Sequence, residues 1–307
     1  MKPLRIIYMG SPEFAVPSLE ALHHSFHEIV SVVSLPDKRR TRRGRPVPTE
    51  VKEKALELGL PVTEAEDLKS DAFQREIITL KPDLIVVVAF RILPESILAV
   101  PPYGAINLHA SLLPKYRGAA PIHHAVMNGE QETGCTVFFL NDLVDTGEVI
   151  GRVKTTIGEE ETTGDLYGRL KVVGADLLIR CVNEISAGTS QSVPQNHGEA
   201  TPAPKLFREN TRIDFDKRAD EVHNHVRGLN PFPVAWALRG DEQVNIYRTR
   251  PVHTCKLPPG VLRVEGDKLY AGCRTGSVEL MELQLPGTKV MSGMEFVNGY
   301  ETGVPFR

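Results

Sequence analysis

Asp83-Leu84-Ile85-Val86-Val87-Val88-Ala89-Phe90 is the stretch that decides the fold. Its apolar run, Leu84 to Phe90, is only seven residues long, whereas a helix crossing a bilayer needs about 20. A short, β-branched, continuous run suits a strand buried on both faces, as in a parallel sheet. Leu4 to Met9, Glu28 to Leu35 and Ala105 to His109 have the same character. Helical patterns lie between them. Pro17 to Ser25 and Pro48 to Leu58 each carry Pro where a first helical turn tolerates it, and Gly59 stops the second. Strands alternating with helices predict an α/β fold with a doubly wound parallel sheet. Gly134 to Leu140 and Glu148 to Thr156 read as further strands. A helix from Thr163 to Ser186 closes this half, with Leu166, Leu170, Val173, Leu177 and Ile185 at helical spacing.

With 307 residues the chain has room for about two domains. Between Gly188 and Lys205 the apolar periodicity stops and Ser, Thr, Asn, Gly, Ala and Pro take over. The expected organisation is a domain over 1–189, a linker over 190–207 and a second domain over 208–307. After a helix at Lys217 to Val226, short strands at Val244 to Tyr247, Val261 to Val264, Lys268 to Ala271 and Ser277 to Leu285 predict a small β-barrel. Ser292-Gly293-Met294-Glu295 has the spacing of a capping box and predicts a short helix after it.

An apolar fraction of 41% and a charged fraction of 24% are those of an ordinary globular protein. Arg5 interrupts the N-terminal apolar stretch, so no signal peptide is read there, and a cytoplasmic, membrane-free protein is expected. Cys135, Cys181, Cys255 and Cys273 form no CxxC pair and have no His at finger spacing, which predicts free thiols and no metal. The net charge of −3 argues against a general nucleic-acid coat protein. Locally the balance inverts. Lys38, Arg39, Arg40, Arg42, Arg43 and Arg45 fall within positions 38–45 with no acid among them, either a solvated loop or a polyanion site.

The first strand-to-helix turn, Met9-Gly10-Ser11-Pro12-Glu13-Phe14, lacks two of the glycines that let a pyrophosphate approach a helix N-terminus. That disfavours a dinucleotide-dependent dehydrogenase. In the strand Ala105 to His109, a period of two turns Asn107 and His109 to one side, at the end where open α/β sheets hold ligands. Asp145, in Asp142-Leu143-Val144-Asp145-Thr146-Gly147, is placed either to orient an imidazole or simply to shape a turn. An amide, an imidazole and a carboxylate without a nucleophilic Ser or Cys fit direct attack of an acceptor on an acyl donor.

Asn107-Leu108-His109, Ser111-Leu112-Leu113-Pro114, Arg117-Gly118-Ala119-Ala120-Pro121-Ile122 and Asp145-Thr146-Gly147 together resemble the folate-dependent formyltransferases. The likeness extends through Ala203-Pro204-Lys205, Ile213-Asp214-Phe215, Asn230-Pro231-Phe232-Pro233 and Phe296-Val297-Asn298-Gly299. It is strongest to those members that formylate initiator methionyl-tRNA. The resemblance implies a Rossmann-like catalytic domain joined to an OB-type β-barrel domain. It implies 10-formyltetrahydrofolate as donor, the α-amino group of initiator methionyl-tRNA as acceptor, no metal, and action as a monomer. Asn107, His109 and Asp145 are then the catalytic residues, Ser111, Leu112, Leu113 and Pro114 the folate-binding turn, and Lys38, Arg39, Arg40, Arg42, Arg43 and Arg45 the tRNA-binding residues. A small-amine acceptor, such as a nucleotide-linked amino sugar or glycinamide ribonucleotide, and an inactive tRNA-binding protein are the competing readings. The basic loop and second domain weigh against the first, and intact Asn107, His109 and Asp145 against the second. One departure stands out: Ala89-Phe90-Arg91-Ile92-Leu93-Pro94 is a residue shorter than the family's usual stretch.

Overall fold

Parallel strands require crossovers, and the first half of the chain supplies them as helices. A computed structural model describes residues 2–39, 44 and 46–307. In chain order the elements are β1 (Arg5–Gly10), α1 (Val16–His23), β2 (Glu28–Ser34), β3 (Lys38–Arg39), β4 (Pro46–Val47), α2 (Glu50–Glu57) and β5 (Val62–Glu64). They continue as α3 (Asp71–Leu80), β6 (Leu84–Val88), α4 (Glu95–Leu98), β7 (Ala105–His109), α5 (Pro121–Met127), β8 (Glu132–Phe139), β9 (Val149–Thr156) and α6 (Thr163–Ala187). Among the described residues the main sheet runs β5-β2-β1-β6-β7-β8-β9. The strands from β5 through β7 pair in parallel and β8 runs antiparallel to β7. Chain order reverses between β1 and β6, the position at which such sheets open a ligand crevice.

Local chemistry sets the boundaries. All five residues of β6 are buried, as a strand covered on both faces requires. Thr49 caps α2 by accepting from the Lys52 backbone N–H at 3.2 Å, and Gly59, at φ +68°, lets the chain leave that helix. α3 escaped the sequence reading although Ser70 caps it, accepting from the Phe73 N–H at 3.2 Å, and it buries Phe73 and Ile77 four positions apart. β5 escaped it for a different reason: it is three residues long and none of them is buried. No described helix is long and apolar enough to cross a membrane.

The chain divides into one unit of Met1–Gly118, Gly134–Thr155 and Tyr167–Pro202 and another of Ala119–Thr133, Thr156–Leu166 and Ala203–Arg307. The segment expected as a linker is therefore shared. Residues up to Pro202 lie in the first unit, where Val193 and Val149 exchange backbone hydrogen bonds of 2.8 and 2.9 Å.

In the second unit, α7 (Ala219–Gly228) precedes β10 (Ala235–Arg239), β11 (Glu242–Val252), β12 (Leu262–Glu265), β13 (Lys268–Gly272), β14 (Ser277–Gln284), β15 (Met291–Ser292) and α8 (Gly293–Gly299). The antiparallel order is β10-β11-β14-β13-β12, with β15 on β14. The C-terminal residues reach towards both edges. Arg307 and Leu238 of β10 exchange hydrogen bonds of 2.8 Å, and Phe306 donates at 2.8 Å to the Gly260 carbonyl beside β12. The C-terminal residues thus cover part of β10 and the approach to β12. Val222, Val226, Ile246, Leu280, Phe296 and Phe306 fill the core of this unit. α5 packs on α7 so tightly that a Cβ on Gly228 would stand 2.4 Å from Met127 Cγ. The expected capping box forms: Ser292 Oγ accepts from Glu295 N at 3.2 Å, and Glu295 Oε2 accepts from Ser292 N at 2.7 Å.

Two buried histidines make stability depend on pH. His27 Nδ1 accepts the Leu4 N–H at 3.1 Å, which requires that nitrogen to be unprotonated. Burial holds the pKa values of both His27 and His223 below the ordinary 6.5. The unfolded chain thus binds more protons in the window below 6.5, so this contribution is complete above that pH and is lost as pH falls through it. Denaturant midpoints at pH 7.5 and 5.5 are expected to show the protein weaker at 5.5, and an unchanged or higher midpoint at 5.5 contradicts the assignment.

Candidate active site

Alternation along β7 sends Asn107 and His109 to the same side, with buried Leu108 between them facing the other way. His109 is 6% exposed. Its Nε2 lies 2.8 Å from the Tyr116 carbonyl oxygen. A carbonyl only accepts, so Nε2 carries the proton of the neutral ring. Nδ1 faces Asp145 Oδ2 at 3.7 Å, beyond direct hydrogen bonding but close enough that a proton arriving on Nδ1 meets a carboxylate. Asn107 is half-buried, and among the described residues its side-chain amide has no hydrogen-bond partner. Two donors are left for something else.

Asp145 arrives from far along the fold. Leu140 donates to the Ala105 carbonyl at the start of β7, 2.7 Å away, whereas Asp145 stands beside His109 at its end. The Asp145 side chain thus reaches His109 from a loop whose ends, Leu140 and Gly147, lie by the start of β7. Asn141 makes the turn: its Oδ1 accepts from Leu143 N at 3.1 Å and from Thr146 Oγ1 at 3.0 Å. Asp145 is thereby released from shaping the turn. It adopts φ +54°, a left-handed conformation that Asp tolerates better than most residues. Its Oδ2 accepts the Gly118 N–H at 2.8 Å. Gly147 completes the loop, and a Cβ there would fall 1.7 Å from the Phe139 carbonyl oxygen.

The turn Ser111–Pro114 is fixed from below by Thr136. That hydroxyl donates to the Ser111 carbonyl at 2.7 Å and accepts the Leu113 N–H at 3.1 Å. The Ser111 hydroxyl is itself engaged on the Lys115 carbonyl at 2.7 Å, and Arg152 Nη2 donates to the Leu113 carbonyl at 2.9 Å. Ser111 and Leu113 are buried, while Leu112 and Pro114 keep half-exposed surfaces. Sequence reading missed Tyr116 and Thr136, whose parts are played by a main-chain carbonyl and a hydroxyl beneath a turn. Neither leaves a pattern along the chain.

Of the basic cluster, the backbone pairing of Lys38 and Arg39 in β3 with β4 is described. Arg40, Arg42, Arg43 and Arg45, and the side chains of Lys38 and Arg39, lie outside the described residues. Residues 35–39 follow β2 and so begin at its carboxyl end. Because β2 and β7 belong to the same parallel run, that is the end at which His109 stands. Burial pushes the thiols of Cys135, Cys181 and Cys273 up to about 12, which leaves them without thiolate character. A cavity of about 560 Å³ lies at the opposite end, where Lys81 and Asp83 precede β6 and Pro102 precedes β7.

Known proteins resemble this chain at two levels. The chain matches the family "Formyl transferase" over residues 4–182 and "Formyl transferase, C-terminal domain" over residues 205–301. It is 44% identical over 313 residues to the methionyl-tRNA formyltransferase of Chlorobium phaeovibrioides, covering 99% of this chain and 98% of that protein. The methionyl-tRNA formyltransferase of Moorella thermoacetica is 42% identical over 300 residues, covering 97% and 96%. Solved structures repeat the fold at lower identity. The N-formyltransferase from Helicobacter canadensis, in complex with folinic acid and dTDP-3-aminofucose, superposes with a TM-score of 0.69 at 20% identity, covering 90% of this chain and 98% of that one. HypX from Aquifex aeolicus in complex with tetrahydrofolic acid gives a TM-score of 0.61 at 19% identity, covering 97% and 48%. With both regions matched and identity above 40% along nearly the whole chain, this protein belongs to the formyl transferase family.

Proposed function

We propose that the chain transfers the formyl group of 10-formyltetrahydrofolate to the α-amino group of the methionine on initiator methionyl-tRNA. The observation that carries the chemistry is the Asn107 amide, without a partner among the described residues and fixed on one side of β7 with buried His109. The acceptor is read from relatives bearing the name methionyl-tRNA formyltransferase at 42–44% identity over 97–99% of the chain. A small-amine acceptor has support only from structural neighbours near 20% identity, such as the one holding an amino sugar nucleotide.

The folate supplies a formyl group already activated for transfer. As the acceptor amine attacks, negative charge builds on the formyl oxygen, and the Asn107 amide donates to it. His109 assists with the Nε2 proton that here rests on the Tyr116 carbonyl. Asp145 orients the imidazole and, with it, relays through water the proton lost by the amine to N10 of the folate as the bond from N10 to the formyl carbon breaks, releasing tetrahydrofolate. The turn of Ser111, Leu112, Leu113 and Pro114 faces the folate, with Leu112 and Pro114 offering apolar surface. Lys38, Arg39, Arg40, Arg42, Arg43 and Arg45 take the phosphates of the tRNA acceptor end. In the second unit, Lys205 over Phe207 and Arg208 and Arg212 over Trp236, with cations 5.4 to 5.7 Å from the ring centroids, offer the mixed cationic and aromatic surface that suits RNA. The same reading has the chain acting as a cytoplasmic monomer.

The deciding assay compares formylation of methionyl-tRNA with that of free methionine and of an amino sugar nucleotide. Efficient turnover of methionyl-tRNA alone is expected, and preference for either small amine refutes the acceptor. In the same assay Asn107→Ala should lower kcat by about 100- to 1000-fold with folate binding retained; near-normal turnover removes Asn107 from the mechanism. Neutralising Arg42 and Arg43 together should weaken tRNA binding and flatten its log-log salt dependence by roughly 0.7 to 0.9 for each phosphate that the loop no longer neutralises. An unchanged slope makes the loop a bystander.

A further inference from the structure

We propose that Gln195 is a positioning residue for formyl transfer, holding together the two loops that present Asp145 and Gly118; this rests on the function proposed above. Gln195 lies in a segment without apolar periodicity, yet it is 6% exposed. A buried amide is tolerated only when paired, and this one is paired at both ends. Its Oε1 accepts from Arg117 Nη2 at 2.6 Å and Nε at 3.3 Å. Its Nε2 donates to the carbonyl oxygens of Asp145 at 3.0 Å and Gly147 at 2.8 Å. A guanidinium only donates and a carbonyl only accepts, so the orientation of the amide is fixed by its partners.

What Gln195 touches gives it a part in the chemistry. Asp145 needs an external hold because its backbone is left-handed, at φ +54°. Gln195 grips that residue by its carbonyl while its carboxylate accepts from Gly118 and faces His109 Nδ1. Arg117, the other partner, directly precedes Gly118 and also places Nη2 3.0 Å from His197 Nδ1. One amide thus clamps both sides of the Gly118–Asp145 hydrogen bond without approaching His109 itself. The surrounding segment is anchored independently: Val193 pairs with Val149, and the Arg117 N–H donates to the Thr201 carbonyl at 2.8 Å. Removal of the Gln195 amide is expected to release Asp145 and leave the segment in place.

Gln195→Leu abolishes the hydrogen bonds to Arg117, Asp145 and Gly147 together. Gln195→Glu keeps the acceptor for Arg117 in almost the same shape but aims an oxygen at the carbonyls of Asp145 and Gly147, and it serves as the measure if Gln195→Leu does not fold. Both variants should lower kcat by up to about 100-fold, with little change in KM for tRNA or folate, because the defect is one of placement. Amide hydrogen exchange at Gly118 should be slow in the wild type and fast in both variants, while the melting profile stays cooperative. A wild-type protein that transfers no formyl group to methionyl-tRNA overturns the functional reading and this inference with it. An active wild type whose variants keep kcat within about threefold, or keep Gly118 protected, overturns the inference alone.

Discussion

The hydrogen bond from the Gly118 main chain to the Asp145 carboxylate joins the loops that follow β7 and β8, and the proposed site is arranged around it. An ionised acceptor at 2.8 Å makes such a bond stronger than one between neutral groups. It leaves the carboxylate one face for His109, whose other nitrogen is held by Tyr116. The imidazole is thus bonded at Nε2 and faces a carboxylate at Nδ1. Asn107, two residues earlier on the same strand, is the one polar group of the set that meets no partner among the described residues. That contrast marks the Asn107 amide as the group left free for a reacting atom.

How much of this was legible in the sequence depended on whether a residue's role repeats along the chain. β7 has the bounds its apolar pattern indicates, and a period of two suffices to bring Asn107 and His109 together. The capping boundaries at Gly59 and Ser292 follow from chemistry confined to one turn. β10 was not legible, because Ala235 and Ala237 are small core residues alternating with Trp236 and Leu238 on a half-covered face. Gln195 was not legible either: polar burial secured by hydrogen bonds from residues 50 and 78 positions away has no local signature. Asp145 was visible as a candidate in two roles. Only the turn made by Asn141 decides which role it is free to take.

The second unit solves a different problem with the same economy. A five-strand antiparallel path has two edges, and exposed edges invite pairing with other chains. Here Arg307 bonds to Leu238 of β10 and Phe306 to Gly260 just before β12, so a few residues of main chain reach towards both edges. Phe306 also adds its ring to the core, 2% exposed.

The interleaving of the two units has a consequence for synthesis. A ribosome delivers every piece of the first unit by Pro202, whereas Ala119–Thr133 and Thr156–Leu166 must wait for Ala203–Arg307. At roughly 5–20 residues per second that wait lasts on the order of 5–20 s. During it the first unit can complete its sheet, while Met127 at the end of α5 has no Gly228 of α7 to pack against. The nascent protein then carries a helix that still lacks its packing partner, the kind of segment that chaperones engage and that aggregates when they do not. Its yield in a cell is thus tied to the pace at which its second half is translated.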